Sequence, residues 1–174
     1  EAEIEIATFA RTGLSTYRPY RIKDKDITVY GRNSMVSHQV WSADYGYPGD
    51  SDYREFHKQD QRSGFKYWKV TDRRTLDGKQ VYNRDQAALR AKQHALHFVK
   101  SLEENSREAK KLGFITPSIV GCYDTELFGH WWWEGVIWLE EVIREIDLSS
   151  ELQLVLPNEV GPAKHEAQVF ESSW

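Results

Sequence analysis

Asp124 and Glu126 lie one residue apart in the run Tyr123-Asp-Thr-Glu-Leu-Phe-Gly-His-Trp-Trp-Trp133, beside three consecutive tryptophans. The apolar residues just before them, Ile119, Val120 and Cys122, have the pattern of a short buried strand. Side chains alternate across a strand, so Asp124 and Glu126 are expected to point the same way. Two carboxyl groups beside aromatic rings suit acid/base chemistry on a sugar, where one protonates the leaving oxygen and the other serves as its partner. The same residues also suit a strand end with an ion-paired acid and core tryptophans, because structural networks perturb carboxylates too. Spacing alone leaves both readings open.

Other chemistry-bearing residues are sparse. The single cysteine, Cys122, excludes an internal disulfide framework and a multi-cysteine zinc site, and inside an apolar run it reads as a small buried hydrophobe. His94 and His97 stand three apart without an evident third ligand, so no metal and no cofactor is expected. A net charge of −4 gives no general attraction to nucleic acid or an anionic membrane. No apolar run approaches the roughly 20 residues of a membrane span. At 40% hydrophobic and 29% charged residues the chain has the composition of a folded globular protein. Its seven Trp, nine Tyr and seven Phe stand mostly beside polar residues, as suits a surface for carbohydrate rings.

The elements that position Asp124 are read in chain order. Ile4 and Ile6 alternate with Glu3 and Glu5 as in a strand, and Ile27–Arg32 forms a clearer one, closed by Gly31. Residues 33–41 suit a short helix presenting His38, Gln39 and Trp41. Residues 43–82 hold the turn cluster Tyr45-Gly-Tyr-Pro-Gly-Asp50 and little regular pattern, which predicts a long substrate-binding loop. Asn83 opens the clearest helix, with Gln86 placed for a capping box, an apolar stripe at Ala88, Ala91, Ala95, Val99 and Leu102, and Gly113 as its left-handed cap. The strand at 118–124 follows, then a helix over 132–147 with a stripe of Trp132, Val136, Leu139, Ile143 and Ile146, and a strand at Leu152–Leu156 stopped by Pro157. Strands alternating with helices predict parallel crossovers and an α/β class, with ligands at the carboxyl ends of the strands, where Asp124 sits.

The run Tyr123–Trp132, followed by Glu134-Gly135, resembles the fourth signature region of family 57 glycoside hydrolases, and within that family most resembles the 1,4-α-glucan branching enzymes. Tyr30-Gly-Arg-Asn33 with Ser37 and Gln39-Val-Trp41, Gly46-Tyr-Pro-Gly-Asp50 with Tyr53-Arg-Glu-Phe56, and Ser172-Ser-Trp174 agree in order. The resemblance implies part of a seven-stranded (β/α) barrel with parallel strands, acting on an α-glucan such as amylose, glycogen or starch by a retaining mechanism in the cytoplasm. It places the acid/base on Asp124 and assigns the nucleophilic glutamate to an earlier region absent here. Glu126 then becomes a residue that hydrogen-bonds substrate or supports the site. Trp41, Trp132 and Trp174 become candidates for stacking on sugar rings, and His130 for a hydroxyl. For each, a buried aromatic or structural histidine is the competing reading. Two departures stand out: Asn33 replaces an Asp frequent in the family, which puts a charge role there in doubt, and Trp133 replaces a Phe or Tyr.

The resemblance covers residues from about 18 to the end, so residues 1–174 read as the later portion of one barrel domain with a loop insertion at about 43–82. With no methionine at Glu1, the chain reads as a fragment whose partner is the remainder of its own catalytic domain, inactive alone for want of a nucleophile. The expected activity of the whole is transfer of an α-1,4-glucan segment to a 6-hydroxyl. An α-amylase or 4-α-glucanotransferase of the same family, and a non-catalytic glucan-binding module, are the alternatives.

Overall fold

The computed structural model describes residues 14–42, 45–72 and 74–168. The expected strand at Ile4 and Ile6, and the segment Ser172–Trp174, lie outside them. The chain divides into two compact units: residues 1–37, 101–122 and 151–174 form the first, and 38–100 with 123–150 the second.

The first unit is built on a three-stranded sheet in the order β2-β1-β3, with β1 at Pro19–Ile22, β2 at Thr28–Tyr30 and β3 at Glu166–Ala167. β1 pairs antiparallel with β2, Tyr20 opposite Val29, and parallel with β3, Arg21 opposite Glu166. The alternation of a strand turns Tyr20 inward, where it is buried with Ala167 against Leu14 and Val29. Arg21 faces water and pairs with Glu166 at 3.0 Å. Helix α1, Ser34–Trp41, begins in this unit. Asn33 caps it, its Oδ1 accepting the Val36 N–H at 3.2 Å, while its Nδ2 donates to Asn105 Oδ1 at 3.2 Å. An aspartate could cap the helix but could not donate to Asn105, so the amide at position 33 has a role of its own.

Helix α2, Arg84–Lys111, opens as its sequence indicates, with Asn83 Oδ1 accepting the Gln86 N–H at 3.0 Å. It closes in a Schellman motif: Phe114 N–H donates to Ala109 O and Gly113 N–H to Lys110 O, with Gly113 at φ +95°. Its buried stripe runs Ala87, Ala91, Ala95, Phe98, Val99 and Leu102. Ala88 is only half-buried, so the stripe starts one residue earlier than the periodicity indicates.

Two expected strands are absent among the described residues. Residues 118–124 form no ladder; Val120 O accepts the Asn33 N–H and Ser118 N–H donates to Tyr17 O. Residues 152–156 form no ladder and are exposed at Leu154, Val155 and Leu156, leading into a 3-10 turn at Pro157–Glu159. Apolar β-branched runs suit a strand, but a strand exists only where a neighbour supplies the ladder. The parallel crossovers expected from the element order are therefore replaced by a small mixed sheet accompanied by helices. At that level the chain is α/β.

The second unit has an aromatic core. Tyr47, Tyr53, Phe98, Trp132 and Trp138 are buried together, with ring centroids 5.3 Å apart for Trp132–Trp138 and 5.5 Å for Tyr53–Trp132. Ala87, Ala91 and Ala95 leave room on α2 for such large rings. Helix α3, Gly135–Leu148, buries Gly135, Trp138, Val142 and Ile146. Of the stripe read from sequence only Trp132 and Ile146 are buried; Val136, Leu139 and Ile143 are exposed. Both faces of α3 are apolar enough to satisfy the periodicity, and the face carrying Trp138 has more area to bury.

The loop at 45–82 is ordered by pairing at Arg54 with Lys69 and Trp68 with Val81, and by a 3-10 turn at Tyr47–Gly49. It is fixed by a buried ion pair, Lys79 Nζ to Glu55 Oε2 at 3.0 Å, with the two side chains 1% and 7% exposed. Lys79 also donates to the carbonyls of Val70 and Asp72.

Candidate active site

Asp124 stands at the N-cap of a 3-10 turn, Thr125–Leu127, in an extended backbone conformation, and its exposed side chain makes no capping bond. Its carbonyl accepts the Leu127 N–H at 3.0 Å; Leu127 is buried and its own carbonyl accepts the Trp132 N–H at 2.8 Å. A short backbone relay thus joins the exposed carboxyl to the aromatic core. Glu126 lies inside the same turn, also exposed. The alternation that would align it with Asp124 does not apply, because the chain has left any strand geometry by residue 125.

Beyond the turn the chain doubles back at Gly129, whose φ of +90° is left-handed, and Gly129 N–H donates to Trp132 O at 2.8 Å. This hairpin separates the three tryptophans. Trp132 turns inward and is 1% exposed, with Tyr47, Tyr53, Phe128 and Trp138 around it, leaving no ring face open to a sugar. Trp131 and Trp133 turn outward and are half exposed. The exposed Trp41 ends α1, and Trp174 lies outside the described residues. His130 is exposed, with its ring edge-on to Phe56 at 5.5 Å and Trp131 at 5.4 Å.

Several site features carried no role in the sequence reading. Glu134 is wholly buried between Trp133 and the start of α3. Its Oε1 accepts the Arg54 N–H at 3.2 Å, and burial pushes its carboxyl above the usual carboxylate range, opposed by the Tyr82 hydroxyl and by Arg54. Arg54, Glu55, Phe56, Lys66, His130, Trp131 and Trp133 line a cleft of about 170 Å³. Arg54, Phe56 and Glu134 were marked in the sequence only as members of the motif blocks Tyr53–Phe56 and Glu134-Gly135, and Lys66 belongs to neither. Trp133 lies beneath the Arg54 guanidinium, 4.4 Å from carbon to ring centroid, so the tryptophan found here offers the cation an aromatic face.

His94 and His97, three apart on α2, each bond a tyrosine through Nδ1, to Tyr53 and Tyr47 hydroxyls respectively, at 2.7 Å in both cases. Burial pushes His94 down to about 4, although Asp50 nearby acts against it. Burial pushes the Tyr47 and Tyr53 phenols up. Among the described residues no cluster of three candidate metal ligands occurs, and no helix is long and apolar enough to cross a membrane.

The chain is similar to known proteins along most of its length. No family profile matches it. A 1,4-α-glucan branching enzyme of Thermococcus kodakarensis is 43% identical over 171 residues, 95% of this chain and 25% of that protein. A probable 1,4-α-glucan branching enzyme of Mycobacterium tuberculosis is 37% identical over 70% of this chain and 23% of its own length. Among solved structures, the family 57 branching enzyme of the Thermococcus species, in complex with glucose and additives, has a TM-score of 0.84 at 45% identity over 92% of this chain and 30% of that one. The family 57-type branching enzyme of Pyrococcus horikoshii gives 0.88 at 37% identity, over 97% and 32%. The α-amylase AmyC of Thermotoga maritima gives 0.82 at 33%, over 91% and 35%. The chain spans about a quarter of the length of the curated relatives it matches.

Proposed function

We propose, for a chain that belongs to glycoside hydrolase family 57, that it supplies the acid/base side of a retaining α-glucan branching site. The observation that carries this reading is the presentation of Asp124. Its carboxyl is exposed at the head of a turn anchored in the core, within a segment similar to branching enzymes along nearly all of its length. A glutamate elsewhere in the polypeptide attacks the anomeric carbon and forms the glycosyl-enzyme. Asp124 protonates the departing glucan oxygen, then takes the proton from the incoming 6-hydroxyl as the new α-1,6 bond forms. Glu126 and His130, exposed on the same hairpin, offer hydrogen-bonding groups, and Trp41 offers an open ring. In this reading the chain is a later portion of a seven-stranded (β/α) barrel, its partner is the rest of that domain, and its setting is cytoplasmic glycogen or starch metabolism.

The test is Asp124→Asn in the full-length protein. Loss of a positioned acid/base should lower turnover by about 10²–10⁴-fold with the unfolding midpoint retained. Turnover at the wild-type level would overturn the assignment. The α-amylase similarity supports a second reading, hydrolysis of the same glycosyl-enzyme by water. Incubation of amylose with the wild-type protein separates the two: new α-1,6 linkages counted by NMR mark branching, and reducing ends without them mark hydrolysis.

A further inference from the structure

The cleft beside Trp131 carries an excess of positive charge: Arg54 and Lys66 line it together with a single carboxylate, Glu55. Lys66 Nζ lies 3.7 Å from the Phe56 ring centroid, and Arg54 lies over Trp133. Neither cation has a carboxylate ion-pair partner among the described residues, and the buried Nε of Arg54 has no acceptor. The neighbouring acids are already occupied. Glu55 is paired with Lys79 and accepts the His57 N–H at 2.9 Å, while Glu134 is buried, takes the Arg54 backbone N–H, and is pushed toward its neutral form. Burial and the charge of Arg54 push Lys66 below its ordinary range, with Glu55 acting against them. In a chain of net charge −4 this is a local inversion.

The rings give the cleft a second character. Phe56 and Trp131 lie 4.4 Å apart at 32°, and Trp131 and Trp133 are half exposed. Aromatic faces take the C–H face of a sugar ring, whereas a guanidinium and an ammonium take a phosphate. We propose that this cleft binds a hexose carrying a phosphate monoester, with Arg54 and Lys66 on the phosphate and the Trp131–Phe56 pair beside the ring. Free sugar phosphate and a phosphorylated residue within a glucan share this chemistry. The proposal makes no use of Asp124, so it stands or falls apart from the acid/base reading.

Calorimetric titration of the full-length protein tests it, with glucose 6-phosphate, glucose, inorganic phosphate and a 6-phosphorylated maltooligosaccharide at one ionic strength. Glucose 6-phosphate is expected to bind at least about tenfold more tightly than glucose or inorganic phosphate. Lys66→Ala should remove that margin and Lys66→Arg should restore most of it, with unfolding midpoints confirming that both variants fold. Tighter binding of the maltooligosaccharide than of glucose 6-phosphate assigns the cleft to phosphorylated glucan, and the reverse to the free sugar phosphate. Equal binding of glucose and its phosphate, binding of inorganic phosphate as tight as that of the ester, or a margin unchanged in Lys66→Ala overturns the proposal.

Discussion

The backbone N–H of Arg54 donates to Oε1 of Glu134 at 3.2 Å, tying the long loop to the residue that opens α3. The carboxyl is wholly buried, its Oε2 has no well-aligned partner, and burial raises its pKa. A neutral side chain of the same shape should therefore serve as well as the acid. Glu134→Gln is expected to retain the unfolding free energy of the full-length protein, while Glu134→Ala, which leaves the Arg54 N–H unpaired, should cost about 2–3 kcal/mol. The sign with pH follows. A carboxyl raised in the folded state stabilises most below its unfolded pKa, and that contribution falls as pH rises through the folded value. Glu134→Gln should flatten this dependence. A loss in Glu134→Gln as large as in Glu134→Ala would show that the charge itself is required.

His94 acts in the opposite direction. Half-buried against Tyr53 and Tyr47, it is pushed down from 6.5 to about 4. The folded state binds fewer protons than the unfolded one between those values, so stability held above pH 6.5 is lost as pH falls toward 4. The shift corresponds to about 3 kcal/mol. Because Glu134 titrates with the other sign, the quantity to measure is the difference between wild type and His94→Gln across pH 4–7. That difference should change by an amount of this order and level off above pH 6.5. A difference constant with pH would place the imidazole in a solvated setting.

The Lys79–Glu55 pair pins the loop from within. With both side chains almost wholly buried, removing the cation leaves Glu55 charged without its partner. Lys79→Met is expected to destabilise by about 3–5 kcal/mol, and the double change Lys79→Met with Glu55→Gln by less, since the pair is then replaced rather than broken. Burial works against ionisation of Glu55, but the His57 N–H and Lys79 outweigh it and hold its carboxyl low. The stability it contributes is therefore present above pH about 4.5 and is lost as pH falls through the folded value. Chemical denaturation of the single and double variants measures the coupling directly; strict additivity would mean that the two side chains act independently.

What the sequence made legible followed from local rules. Asn83 and Gly113 marked α2 because a capping oxygen and a left-handed residue are needed within the helix ends themselves. Residues 28–30 and 34–41 were recoverable in the same way. Residues 118–124 and 152–156 were misread because a strand depends on a neighbour, and β-branched content does not name one. The stripe of α3 slipped because Val136, Leu139 and Ile143 compete with Trp138 and Val142 for the core, and periodicity does not weigh ring area. Asp124 is proposed from residue type and motif, whereas Glu134 and Lys66 draw their interest from burial and from missing partners, which spacing does not encode.

Trp131 and Trp132 are adjacent and chemically identical, yet the hairpin at Gly129 gives them different tasks. Trp132 is enclosed by Tyr47, Tyr53, Phe128 and Trp138, so Trp132→Ala removes a filled volume from the middle of the core. Such truncations cost about 3–5 kcal/mol. The relay from Trp132 through Leu127 to Asp124 also predicts that the damage reaches turnover, by loosening the turn that carries the carboxyl. Trp132→Phe keeps an aromatic body and the backbone bonds, so it should recover much of both losses. Trp131 exposes half of its surface and lies beside Phe56. Trp131→Ala should therefore cost about 1 kcal/mol or less, with its effect falling on ligand affinity. Measuring unfolding free energy and, under the proposed branching function, amylose turnover of the full-length protein for the three variants separates the roles. A stability loss for Trp131→Ala matching that of Trp132→Ala would mean that the two rings share one core.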